Sequence, residues 1–141
     1  MSSSGRPIQR FTLRANERLK LRKQIETLFL KGEAFSVFPV KVMYLLHQLP
    51  DDADASKVLV GFSVPKKRVK RAVNRNRIRR ISREAWRLNK AVLYANIPQG
   101  MQLHCFLIFI GNQALTLDKA QETIKKITEQ FSKKLRQPSA S

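Results

Sequence analysis

The sequence predicts a small single-domain α/β sandwich, with helices packed on a central mixed sheet in the order α-β-β-α-β-α. Three observations lead there. The chain has 141 residues and a hydrophobic fraction of 43%, enough for one modest core and no second domain. Segments 37–46 and 58–64 alternate apolar and polar side chains as half-buried strands do. Three further segments space their apolar residues at helical intervals.

Taken in order, Leu21, Ile25, Leu28 and Phe29 fall at i, i+4, i+7 and i+8, with Lys31 in the last turn and Gly32 placed to cap the carboxyl end. A short helix over 22–31 is expected. The stretch 1–16 reads as a flexible basic arm and 137–141 as a disordered tail, which leaves 17–136 as the folded domain. In 37–46, Phe38, Val40, Val42 and Tyr44 share one face and Lys41 takes the other. Pro50, Asp51, Asp52 and Asp54 then break the pattern into a loop. Val58, Val60, Phe62 and Val64 alternate with Leu59, Gly61 and Ser63, a second strand expected to pair antiparallel with the first through a hairpin. Pro65 ends it. A basic helix starts between 70 and 73 and runs to 95, residues 96–100 turn, and 101–110 becomes continuously apolar, as in a strand covered on both faces. Thr116 or Asp118 caps a last helix, with Ile124, Ile127, Phe131 and Leu135 as its buried stripe.

The basic segment carries the functional signal. From Lys66 to Arg87 the chain places eleven Lys or Arg residues and one acid, Glu84. Ile78, Ile81, Ala85, Leu88 and Val92 form a stripe able to face a core, while Arg71, Arg75, Arg79 and Arg83 step by four along a second line. Arg77, Arg80 and Arg87 make a third, where Glu84 lies within one turn of Arg80 and Arg87. An alternating surface of Glu and Lys would read as a solvated helix face. Here the signs do not alternate. Arginines this dense repel one another unless a polyanion neutralises them, and the guanidinium fork fits a phosphate through paired hydrogen bonds.

Composition narrows the partner. A net charge of +18 on a chain this apolar describes a folded polycation rather than a disordered tail. Membrane attachment would want large apolar anchors opposite the charges, and the longest apolar run, near 105–110, is too short to span a bilayer. The Ser- and Arg-rich beginning resembles a transit peptide, but it leads without a break into the first helix. One cysteine, Cys105, excludes an intramolecular disulfide and suggests the cytoplasm.

A self-contained enzyme is not indicated. His104 and Cys105 are neighbours on a strand, so they point to opposite faces and read as packing residues rather than a dyad. Asp51, Asp52 and Asp54 form a solvated turn more readily than a metal site. No phosphate-binding glycine loop or paired Cys/His ligand set is present. A sequence-specific DNA reader lacks the helix-turn-helix spacing or zipper it would need. Aromatics beside a basic surface instead suit single-stranded nucleic acid, with Phe29, Phe38 and Tyr44 as candidates for a stacking groove and core packing as the alternative for each.

The run Ala72-Val73-Asn74-Arg75-Asn76-Arg77-Ile78-Arg79-Arg80-Ile81-Ser82-Arg83-Glu84, with Lys66-Lys67 before it after a strand rich in Val, Gly and Ser, closely resembles the Arg-Asn-Arg motif of the bacterial ribonuclease P protein subunit. The order of elements agrees from Arg18-Leu19-Lys20 to the last helix. The resemblance implies a protein that binds a large catalytic RNA and helps it remove the 5′ leader of precursor tRNA. The partners would be that RNA and precursor tRNA, with no membrane and no small-molecule substrate. Mg2+ would serve the RNA and substrate, with no protein-only metal site and no catalytic side chain. Arg75, Asn76, Arg77, Arg79, Arg80 and Arg83 would contact RNA, flanked by Lys66 and Lys67, with Arg68 and Arg71 on the same surface. A cleft between the first helix and the sheet would hold the leader. Phe29 matches a cleft aromatic there, Ile25 stands where many members have phenylalanine, and Tyr44 would be the strand's contribution. The resemblance also implies a left-handed crossover around the basic helix, against the general right-handed rule. The rival reading is a ribosomal-type or RNA-chaperone protein, and the register of the motif decides against it.

Overall fold

The computed structural model describes residues 22–51, 55–112 and 114–136. The expected arm over 1–16, the tail over 137–141, and Asp52 and Asp54 lie outside the described residues. The elements are α1 (Arg22–Lys31), β1 (Glu33–Val37), β2 (Val40–Gln48), β3 (Val58–Ser63), α2 (Ala72–Ala95), β4 (Met101–Phe109) and α3 (Leu117–Arg136). The order is the expected one, with the first strand doubled into a tight pair. Phe38 and Pro39 form the turn between β1 and β2, where the missing proline N–H costs no ladder bond.

The sheet is mixed, with order β1-β2-β4-β3. Its register corrects one expectation. β2 and β3 do not form a hairpin, because β4 lies between them, antiparallel to β2 and parallel to β3. The loop after β2 therefore crosses a strand position, and α2 is the crossover that returns the chain beside β3. β4 carries the continuous apolar run because it is one of two interior strands and its side chains are buried or half-buried on both faces.

Residue parity divides the sheet into two faces. Val40, Val42, Tyr44 and Leu46 of β2 sit opposite Phe109, Leu107, Cys105 and Leu103 of β4, and Val58, Val60 and Phe62 of β3 continue the rows. This face is covered by α2 and α3. Trp86 of α2 meets Phe62 edge-on at 6.3 Å, and Phe131 of α3 meets both Phe35 and Tyr44 at 5.2 Å. Ile124, Ile127, Phe131 and Leu135 are all buried, as their spacing predicts. Burial of each large side chain contributes on the order of 2 kcal/mol. Thr116 caps α3 by accepting the Lys119 N–H at 3.2 Å.

The buried stripe of α2 departs from the expected one. Ile78 and Ala85 are buried, but Trp86 and Leu93 complete the stripe, while Leu88 and Val92 are 48% and 59% exposed. The sequence seam of alternating threes and fours has a period of 3.5, which drifts about 20° per heptad on a straight helix. Two heptads suffice to carry it off the core.

Candidate nucleic-acid interface

The surface begins where β3 stops. Pro65 turns the chain, and its carbonyl accepts the N–H groups of Arg68 and Val69 at 3.0 and 3.2 Å. Lys66, Lys67, Arg68 and Lys70 are exposed on this turn. Arg71 takes the N-cap position of α2 with extended backbone, gives no side-chain cap bond, and is followed by no acid in the first turn. The positive end of the helix dipole is thus left uncompensated and adds to the side-chain charges.

Within the motif the arginines divide by environment. Arg75 Nη1 donates to the carbonyls of Val69 and Lys70 at 3.1 and 2.7 Å, latching the turn onto the first turns of α2. Arg79 donates to Asn76 Oδ1. Arg87 pairs with Glu84, and that hydrogen bond holds the Glu84 carboxyl below the usual carboxylate range. Among the described residues, Arg68, Arg71, Arg77 and Arg80 have no protein partner. Arg83 is exposed on the same helix. All ten sequence-predicted RNA-binding residues fall on one turn-and-helix unit.

The other sheet face lies under α1. Leu28 is fully buried and anchors the helix, whereas Phe29 is 49% exposed and meets Phe106 of β4 edge-on at 5.8 Å. Ile25 is half-buried on the same helix. Phe106 sits in a cross-strand row with Met43 and Gly61, and the next row is Lys41, Ile108 and Ser63. The second row runs directly into the basic turn after β3. Tyr44 does not belong to this face. It is only 7% exposed, packs on Phe131 beneath α3, and donates its hydroxyl to Glu33 Oε1 at 3.1 Å. Burial and Glu33 raise its phenol to about 12. Strand parity is the reason, since a shift of one residue changes face, and Met43 occupies the α1 side instead. Phe106 was missed because the apolar run gave no parity; fixing Cys105 in the core would have supplied it.

Further along that face, the rings of His47 and His104 stack at 3.9 Å. His104 Nε2 meets Gln102 Oε1 at 2.8 Å, and Gln102 donates in turn to the Ser56 carbonyl. Burial, aided by His47, lowers His104 to about 4, and burial lowers His47 as well. Burial pushes the Cys105 thiol up. These groups are packed, neutral at pH 7, and offer neither a nucleophile nor a proton relay. Among the described residues no three His, Cys, Asp or Glu side chains gather as a metal site, and no helix is long and apolar enough to cross a membrane.

Comparison with known proteins agrees with this arrangement. The family model described as Ribonuclease P matches residues 13–136. The chain is 45% identical over 100 residues to the ribonuclease P protein component of Porphyromonas gingivalis, covering 71% of this chain and 70% of that protein. It is 31% identical over 108 residues to that of Chlorobium phaeobacteroides, covering 72% and 74%. The fold is shared with the ribonuclease P protein of Thermotoga maritima, at TM-score 0.61 and 22% identity over 81% of this chain and 96% of that one. The Staphylococcus aureus protein gives TM-score 0.60 at 20% identity, covering 80% and 93%. With the motif on an uncompensated helix start and relatives alike over most of their length, this chain belongs to the bacterial ribonuclease P protein family.

Proposed function

We propose that this protein works as the RNA-binding subunit of ribonuclease P, partnering the catalytic RNA and precursor tRNA in removal of the 5′ leader. The observation that carries the reading is the cationic turn and helix from Lys66 to Arg80, a run with no acid in its sequence, where closely spaced guanidiniums call for an external polyanion. In this reading Arg68, Arg71, Arg77 and Arg80 take phosphates of the RNA subunit. Asn76 and Arg79 act as a pair, and Arg75 mainly shapes the turn that presents Lys66 and Lys67.

The leader lies across the α1 side of the sheet, between Ile25 and Phe29 on one wall and the Met43–Phe106 row on the floor. Phe29 and Phe106 offer ring faces and edges to unpaired bases. The row containing Lys41 leads the backbone toward the basic turn. Mg2+ is held by RNA and substrate, and the protein lowers the divalent concentration needed by neutralising phosphates close to the cleavage point. The cytoplasm, where precursor tRNA is made, is the compartment that fits.

The test is reconstitution at limiting magnesium with a bacterial ribonuclease P RNA and labelled precursor tRNA. Leader removal that requires both protein and RNA is the expected result. Tight RNA binding with no stimulation, repeated with RNA from the source organism, overturns the reading in favour of a structural RNA binder.

A further inference from the structure

Two cavities sit side by side at the end of the sheet where the parallel strands β3 and β4 finish, away from the face under α1. One, of about 350 Å3, is bounded by Arg68, Lys70, Arg71 and Arg77 with Asn74 beside them. The other, of about 260 Å3, lies under Phe38 and is floored by Pro39, Phe109 and Gly111, with Lys119 at its rim. Asn112, Ala114 and Leu115 line both, so the two form one continuous shelf. Volumes of this size are in the range of small-ligand sites.

The shelf has an aromatic platform at one end and fixed positive charge at the other. Phe38 is 69% exposed at the tip of the β1–β2 turn. The turn is pinned, because the Ile110 N–H donates to the Pro39 carbonyl at 2.8 Å. Gly111 lies flat against it, with no room for a side chain, since a Cβ there would come within 2.9 Å of Pro39 Cβ and Phe109 Cζ. Among the described residues, every charged side chain lining the two cavities is a cation. Lys119 shares its charge with Glu122 at 3.6 Å, an exposed pair that costs little to break. The amides of Asn74 and Asn112 add donors and acceptors suited to base edges. An apolar platform joined to a cluster of cations fits single-stranded nucleic acid, whose bases stack on the ring while its backbone meets the charges.

We propose that this shelf is a second single-stranded RNA site, separate from the α1 cleft, in which Phe38 stacks one unpaired base of the RNA subunit and Arg68, Arg71 and Arg77 hold the adjoining phosphates. The proposal rests on the reading that the protein binds RNA.

The full-length protein is titrated with a fluorescent oligoadenylate and with the same backbone carrying abasic sugars, and each variant is also reconstituted with ribonuclease P RNA. Phe38→Ala is expected to weaken oligoadenylate binding roughly tenfold, the scale of one base–aromatic stack, and to leave the abasic strand and the salt slope nearly unchanged. Phe38→Trp should restore binding. The loss should persist in a Phe29→Ala background, because the two aromatics serve different sites. Unchanged affinity in Phe38→Ala, equal loss on the abasic strand, or a loss that vanishes in the Phe29→Ala background each overturns the shelf. If wild-type protein supports cleavage while Phe38→Ala is indistinguishable from it on every probe, the shelf fails alone. If wild-type protein neither binds RNA nor supports cleavage, the RNA-binding reading fails with it. Melting followed by Trp86 fluorescence checks that the Ala variant folds.

Discussion

Gly32 illustrates how a residue fits its place for a reason its sequence position only half reveals. It follows α1 as a helix-ending glycine should, and its N–H reaches the Leu28 carbonyl at 2.8 Å. What the site demands is space, because a Cβ would stand 2.5 Å from the Leu28 carbonyl oxygen and 2.9 Å from that of Tyr44. Neither oxygen belongs to a flexible side chain. Gly32→Ala should therefore cost about 1–3 kcal/mol, the usual range for overpacking, read by urea unfolding; a neutral result would mean that α1 shifts freely on the sheet. His104 makes a second prediction at this scale. Its folded value near 4 lies below the ordinary 6.5, so the unfolded chain takes up the proton first. Stability should be whole above about pH 6.5 and fall as the pH drops toward 4, by on the order of 2 kcal/mol. His104→Gln, which cannot titrate, should flatten that decline, and an unaltered pH curve would assign the acid sensitivity elsewhere. The placement of the motif arginines on one turn and helix was legible, because charge needs no register. It was not legible for Tyr44, where one step along β2 separates the α1 face from the core.

At the scale of elements, α2 is both a core helix and the proposed RNA surface, and Arg75 joins the two. Both of its bonds to the Val69 and Lys70 carbonyls come from Nη1, at the end of a planar guanidinium whose shape an ammonium on a flexible stem does not reproduce. Arg75→Lys should keep the charge yet loosen the turn, so the amides of residues 66–70 exchange faster and RNA affinity drops roughly two- to fivefold, less than about 1 kcal/mol, with the salt slope intact. Unchanged exchange would show that the turn holds without the latch. α1 separates its duties by residue: Leu28 is fully buried and Phe29 half-exposed. Phe29→Ala should weaken leader-dependent binding of precursor tRNA more than binding of the RNA subunit, with a small change in melting temperature, whereas Leu28→Ala should lower stability by about 2–5 kcal/mol. Equal loss of both RNA affinities in Phe29→Ala would make that ring a packing residue. Helix positions were readable because periodicity is local, although the seam through Leu88 and Val92 drifted off the core. Strand pairing was not readable. Consecutive strands are neighbours more often than not, and nothing within β2 or β3 encodes that β4, some forty residues on, will come between them.

For the whole molecule the dominant quantity is charge, with 28 basic residues against 10 acidic ones. Such an excess pushes the free protein apart in proportion to how compactly it folds, and the same excess binds RNA by releasing its counterions. Salt therefore acts with opposite signs on the two equilibria. Raising ionic strength from about 0.05 to 0.5 M shortens the screening length severalfold, so the melting temperature of the free protein should rise by several degrees, a change of about 1 kcal/mol for a domain of this size. Over the same range affinity for the RNA subunit should fall by orders of magnitude, with log K linear in log salt. Arg79→Ala should reduce that slope by about one if the side chain meets a phosphate, and should at the same time raise the low-salt stability of the free chain slightly by removing one repelling charge. The paired readout separates a contact from a bystander. A bystander arginine would change the stability term and leave the slope alone, and a fold that melted lower in high salt would mean that attractive ion pairs such as Arg87–Glu84, rather than repulsion, govern the free protein.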